Sequence, residues 1–297
     1  MTIEFNCPKC GALIAFDSRH TGKRAKCVAC GQRFIIPAES FRKPKKVEPE
    51  AAPKEEPLPG FYHAAFIDSW SLFVNPQNAT TLVFVAAVVC FKFFLARACC
   101  LNYVSAVIIW GWLFAFYLNV IYRTAIDDDV LPDIYLGTSI TFLWHIISPF
   151  LTFFYTLFLV ELPFILTLSA ARNHGVTLEN LWSGHSQLHT LLHGLLACGL
   201  FLFPAAILTT AVGKDLTLLR PDYLLIPMAR AFVPYVTAVL LLASPCLLQT
   251  QTTQYTAAGA ITTIMHLSLN LAVQVLAIIA MRAIGLFYRH YGCYFKW

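Results

Sequence analysis

Cys7, Cys10, Cys27 and Cys30 fall in two Cys-x-x-Cys pairs, CPKC and CVAC, with sixteen residues between the pairs. Two residues between thiols let one tight turn aim both at a single ion. The longer insert lets a second such turn fold back and complete a tetrahedron. The chemistry is thiolate binding of a divalent metal, and the expected cofactor is one structural Zn²⁺ per chain. Gly11 and Gly31 follow the second ligand of each pair, where the returning backbone needs positive φ. Four thiolates leave a net negative charge on the centre, which Lys9, Arg24 and Lys26 are placed to offset. With all four positions filled by protein, no open site remains for activating water, so the spacing predicts a staple and no catalytic centre.

Further polar residues stand inside apolar stretches, where an ionisable group is a candidate functional site because its burial costs several kcal/mol unless it is paired or neutral. Lys92 and Glu161 are the sharpest. Each lies about 12 or 13 residues into its stretch, close to 20 Å from the inner boundary at 1.5 Å per residue, so an ion pair between them is expected. Thr262, His266, Asn270 and Gln274 recur every four residues and share one helical face. His266 and Asn270 could join Lys92 and Glu161 in lining a path for an ion or solute; hydrogen-bonded glue between helices is the other reading. HSQLHTLLH puts His185, His189 and His193 on one face, a spacing that can hold a second metal or can mark a polar helix entry, with His174 and Glu179 nearby. No HExxH, phosphate loop, nucleophile elbow or dinucleotide fingerprint is present, and no enzymatic activity is expected.

The elements that carry these residues follow from composition. Of 297 residues 58% are hydrophobic and 12% charged, against about 45–50% and 25% in soluble proteins. Crossing about 30 Å of hydrocarbon takes about 20 apolar residues, and six stretches qualify: 79–98, 101–122, 149–171, 190–212, 231–250 and 257–281. The fold class is therefore an all-α polytopic membrane domain of about six transmembrane helices behind a small β-type zinc ribbon. Arg123, Lys214, Arg220, Arg230, Arg282, Arg289 and Lys296 fall on one side of these spans and only Arg97 and Arg172 on the other, which places both termini in the cytoplasm. MTIEFNCPKC lacks the pattern of a secretory signal. The remaining cysteines lie in apolar segments, where packing explains them.

Three regions result: the ribbon at 1–37, a Pro/Glu/Lys-rich linker at 38–59 expected to be solvated, and the membrane domain at 60–297. FIDSWSLFVNP, SITFLWHIISP and YLLIPMARAFVP precede spans one, three and five and read as interfacial helices, each ending at a Pro that opens the next helix. The expected partners are the lipid bilayer and a cytoplasmic protein that touches the head. The basic TGKRAK with Arg19 and His20 also fits nucleic acid, less well because the head offers few aromatics for base stacking; a charge-compensating hairpin is the third possibility. DDDVLPD, a cytoplasmic acidic loop, either docks on that basic head or is a solvated loop cap.

IEFNCPKCG, TGKRAKC and CGQRFIIP resemble a zinc-ribbon family found at the N-terminus of many bacterial proteins. That resemblance covers about 37 residues and implies a structural zinc fold held by Cys7, Cys10, Cys27 and Cys30, with no activity. RTAIDDDVLPDI, the Pro-led third span and RAIGLFYRHYGCYFKW resemble a bacterial family of multi-pass domains broadly similar to Yip1-like membrane proteins. Six spans depart from the five of that pattern, and the resemblance implies no chemistry. The function expected is a bacterial inner-membrane scaffold or regulatory component with a cytoplasmic zinc ribbon. A small-solute or ion transporter and an intramembrane metalloenzyme are the alternatives.

Overall fold

The structure, a computed structural model, describes residues 2–7, 9, 13–28, 30–36, 56–95, 101–134, 140–177, 180–182, 184, 186–213, 219–252, 255 and 259–295. Two compact units divide the chain, Met1–Glu55 and Glu56–Trp297. Most of the linker assigned from composition, 38–55, lies outside the described residues.

The first unit is two antiparallel hairpins. β1 (Thr2–Asn6) pairs with β2 (Leu13–Asp17), and β3 (Arg24–Lys26) with β4 (Arg33–Ile35). Side chains alternate along the short strands, so Ala25 and Phe34 turn inward between exposed neighbours. Phe5 and Ile36 are the buried centre, with Ile14, Phe16, Ala25 and Phe34 packed around them. Phe5 meets Phe34 edge to face at 5.2 Å. Six residues make too small a core to hold a unit of this size by burial alone, which is why a cross-link matters here.

The second unit is helical. Asn75 accepts the Gln77 N–H in front of Pro76, a cap and a helix-opening proline in sequence. Two short helices, α1 (Phe61–Phe66) and α2 (Ser71–Val74), precede that cap. Beyond it come α3 (Ala79–Leu95), α4 (Leu101–Ala125), α5 (Ile140–Val160), α6 (Leu162–Ala171), α7 (Gln187–Gly213), α8 (Pro221–Arg230), α9 (Phe232–Gln251) and α10 (Ala260–Tyr291). Six segments are long and apolar enough to cross a bilayer: Pro76–Phe94, Ser105–Ala125, Leu143–Val160, Gln187–Gly213, Phe232–Gln251 and Ala260–Tyr294. The chain is a multi-pass membrane protein. Phe84 of α3 lies 4.9 Å from Trp112 of α4, so spans one and two are separate helices packed side by side.

Three boundaries differ from those read in the sequence. α5 runs unbroken through Pro149, so residues 140–149 of SITFLWHIISP belong to the same helix as the third span instead of forming a separate interfacial helix; a proline inside a long helix is tolerated where neighbours hold it. The third span is also interrupted at Glu161, the one residue between α5 and α6, instead of running as a single helix to Ala171. α10 extends ten residues past Met281 to Tyr291, about 48 Å at 1.5 Å per residue.

α10 is the axis of the bundle. Within its span 72% is buried, against 11% for the span in α5. Its backbone comes close to α4 at Gly285, where a Cβ would stand 2.7 Å from the Ile121 carbonyl oxygen. The start of the unit is strapped to the end of α10: Leu58 N–H donates to the His290 carbonyl, and His290 Nδ1 donates to the Leu58 carbonyl, both at 2.9 Å.

Candidate metal centre and intramembrane polar groups

The cysteines sit where strands end. β1 delivers Cys7 immediately after Asn6, and β3 delivers Cys27 after Lys26. A turn then brings up Cys30: Gly31 N–H donates to the Cys27 carbonyl at 2.9 Å, and Cys27 N–H to the Gln32 carbonyl at 2.8 Å. Gly31 takes φ 75°, as expected of the residue after the second ligand. Gly11 and Cys10 lie outside the described residues.

The sulfurs of Cys7, Cys27 and Cys30 lie within 4.8 Å of one another, and Cys7 Sγ is 3.6 Å from Cys30 Sγ. Tetrahedral coordination at about 2.3 Å per zinc–sulfur bond separates ligand sulfurs by about 3.8 Å. A disulfide needs about 2.05 Å. The spacing is that of ligands around one ion. Cys7 and Cys27 are buried, which shields the centre, while Arg24, Lys26 and Arg33 line the exposed side of the second hairpin. Lys26 stands directly opposite Arg33 in register.

Within the membrane unit, Lys92 and Glu161 are not an ion pair. The Lys92 ammonium sits 4.2 Å above the Trp110 ring of α4 and has no hydrogen-bond partner. Glu161 is buried, with neither carboxylate oxygen hydrogen-bonded, and its head group lies against Gly199 of α7, where a Cβ would stand 2.5 Å away. Depth along two helices does not fix the direction in which each side chain points, and these two point at different neighbours.

The stripe on α10 divides. Gln274 is glue between helices: Tyr117 Oη of α4 donates to Gln274 Oε1 in the bundle interior. Asn270 Nδ2 instead donates within α10, to the His266 carbonyl at 2.9 Å. His266 is half-buried, with Nδ1 unpartnered. Next to α4 and α5, a recess of about 390 Å³ is lined by Ala106, Val107, Trp110, Phe114, Phe150 and Phe154. That lining is suited to hydrocarbon.

Of the three histidines on one face, His185 lies outside the described residues, as does Glu179. His189 hydrogen-bonds Ser186 Oγ through Nδ1 at 2.7 Å. Its ring packs on Gly184, which leaves no space there for a Cβ. The His193 ring lies 5.0 Å from Trp182. Among the described residues, the cysteine group is the one cluster of three or more metal-binding side chains.

The acidic loop after α4 has partners that sequence reasoning missed. Asp129 Oδ1 takes Arg282 Nη2 at 2.9 Å, and Arg289 bridges Asp127 and Asp129. Arg123 holds Asp133 at 2.9 Å and Asp128 at 3.6 Å. Arg282 is 3% exposed, so Asp129 is the counter-charge of a buried cation. Asp127 adopts φ 71°, a left-handed turn that lets three successive carboxylates diverge. The signal was available: Arg282 and Arg289 are seven residues, two helical turns, apart and so share a face. Asn78 and Thr81 at the start of α3 hold the same loop, through Leu131 N–H at 2.9 Å and the Pro132 carbonyl at 3.2 Å. Set against protein-family models, curated proteins and solved structures, the chain matches none of them.

Proposed function

We propose that this is an inner-membrane protein whose cytoplasmic head is a zinc-stapled recognition module, and that the six-helix unit anchors that module as a non-enzymatic scaffold. The observation that carries the reading is the convergence of the Cys7, Cys27 and Cys30 sulfurs from two separate hairpins within 4.8 Å. The Cys-x-x-Cys pairing in the sequence makes Cys10 the candidate fourth ligand. The resemblance of the head to the N-terminal zinc-ribbon family supports the same structural role. When bound, the ion supplies cross-linking and no turnover. The chain's own residues do the rest: Phe5, Phe16 and Phe34 pack beneath the hairpins, and Arg24, Lys26 and Arg33 stand exposed for an acidic protein surface.

Two measurements test this. Elemental analysis of the full chain, purified without added metal, should give one zinc per chain, lost on Cys27→Ser. A photo-crosslinker placed at Lys26 in native membranes should yield a discrete protein adduct that the same substitution abolishes. Zinc retained by Cys27→Ser would refute the staple. A zinc-loaded head with no adduct would refute the scaffold role.

A further inference from the structure

We propose that Glu161 is a proton-binding carboxyl inside the membrane, held as the neutral acid in the packed state and exchanging its proton with water when α6 and α7 move apart.

Depth comes first. Gly199, which the carboxyl faces, is twelve residues from the start of α7 and fourteen from its end, about 18 and 21 Å at 1.5 Å per residue. The group therefore sits near the middle of a bilayer-spanning helix. Glu161 is 7% exposed and both oxygens lack partners. A carboxylate in such a place needs a counter-charge, a metal or a proton.

Counter-charge is absent from the helices around it. α5, α6 and α7 contain no Lys or Arg. Their other titratable side chains are His145 and Tyr155 on α5 and His189, His193 and Cys198 on α7; Arg172 begins only after α6 ends. None of these reaches the carboxyl by hydrogen bond or ion pair. A metal would require converging ligands, and among the described residues Glu161 belongs to no cluster of three or more carboxylate, imidazole or thiol side chains. The proton is what fits. Loading takes one proton from water onto the carboxylate and release returns it, with no redox change.

The backbone is built to yield at this point. Glu161 occupies the turn between α5 and α6 (φ −87°, ψ 4°), followed by Pro163 near the start of α6. On the facing helix, Gly199 is followed by Pro204. Each proline removes one helical hydrogen bond beside the carboxyl, the usual origin of a hinge within a helix. Gly199 itself is the clearance that lets the acid lie flat on α7.

The test is modification of the full chain by dicyclohexylcarbodiimide, an apolar reagent that attacks protonated carboxyls, followed by peptide mass mapping. An adduct on Glu161 is expected, absent in Glu161→Gln, falling in yield as the pH is raised and unchanged by Na⁺, K⁺ or Mg²⁺. No adduct at any pH from mildly acidic to mildly alkaline would overturn the proposal. So would protection by a metal cation, which would make this a metal site. The pH and cation profiles are read on the unsubstituted chain and stand whether or not Glu161→Gln folds.

Discussion

Gly285→Ala tests the packing on which the charged face of the bundle depends. The new Cβ would stand 2.7 Å from the Ile121 carbonyl oxygen, 2.7 Å from Thr124 Cβ and 3.2 Å from Thr124 Cγ2. The first contact is backbone, so relief requires α4 and α10 to separate. Overpacking of this kind costs about 1–3 kcal/mol. Replacing glycine by alanine inside a helix also contributes about 1 kcal/mol of stability, which partly hides the clash. Gly194→Ala removes that ambiguity. It is the same substitution inside α7, at a position where an added Cβ meets nothing within 4 Å. The propensity gain is common to both variants, so their difference isolates the overpacking, about 1–3 kcal/mol. For a domain of roughly 150–250 residues each kcal/mol moves the thermal midpoint by about 2–4 °C. Thermal unfolding in detergent, followed by size-exclusion of the heated samples, should rank Gly194→Ala at or above the parent and Gly285→Ala below it. If Gly285→Ala proved as stable as Gly194→Ala, the close approach of α10 to α4 would be wrong.

Three further outcomes follow from the same contacts. Asp129→Asn, which strips the counter-charge from buried Arg282, should destabilise by about 1–3 kcal/mol, whereas Asp128→Asn, on a longer and more exposed pair with Arg123, should stay within about 0.5 kcal/mol; equal effects in the same assay would contradict the buried pairing. A double-mutant cycle on Tyr117→Phe and Gln274→Leu should return a coupling near 1 kcal/mol, the order found for hydrogen bonds between membrane helices; zero coupling would remove this bond. Stripping metal with a strong chelator should speed tryptic cleavage at Lys23, Arg24 and Lys26 while the helical unit stays intact. Unchanged cleavage in the metal-free protein would show that the head stands without its staple.

The parts of this architecture legible in the sequence are those set by solvent alone. An apolar stretch long enough to cross a bilayer has few other fates, so six spans could be counted from hydropathy. The cysteine spacing was equally informative, because thiolate geometry around an ion tolerates few arrangements, and three of the four sulfurs do converge. Boundaries were harder. Pro149 looked like the opening of a helix, because proline is favoured there, yet α5 passes through it; local preference cannot register the neighbouring helices that hold a bent segment in place. The extra three turns of α10 were likewise hidden, since Arg282 and Arg289 read as loop residues until the carboxylates of Asp127 and Asp129 give them somewhere to go.

Polar groups inside the membrane were the least legible, for a geometric reason. Hydropathy fixes depth, and depth paired Lys92 with Glu161. Contact also requires that two side chains point toward each other, and that angle is decided by which helices pack and where small residues let them approach. Trp110 turns Lys92 toward α4, and Gly199 receives Glu161 on α7. The true electrostatic pairing of the bundle lies at its edge instead, where α10 outruns the hydrocarbon and its arginines meet the acidic loop. Among the described charges of the bundle, the acidic loop and the arginines of α10 compensate one another at one end of that helix. Lys92 is left to the face of Trp110, whereas Glu161 has no counter-charge, a position in which a neutral carboxyl costs least.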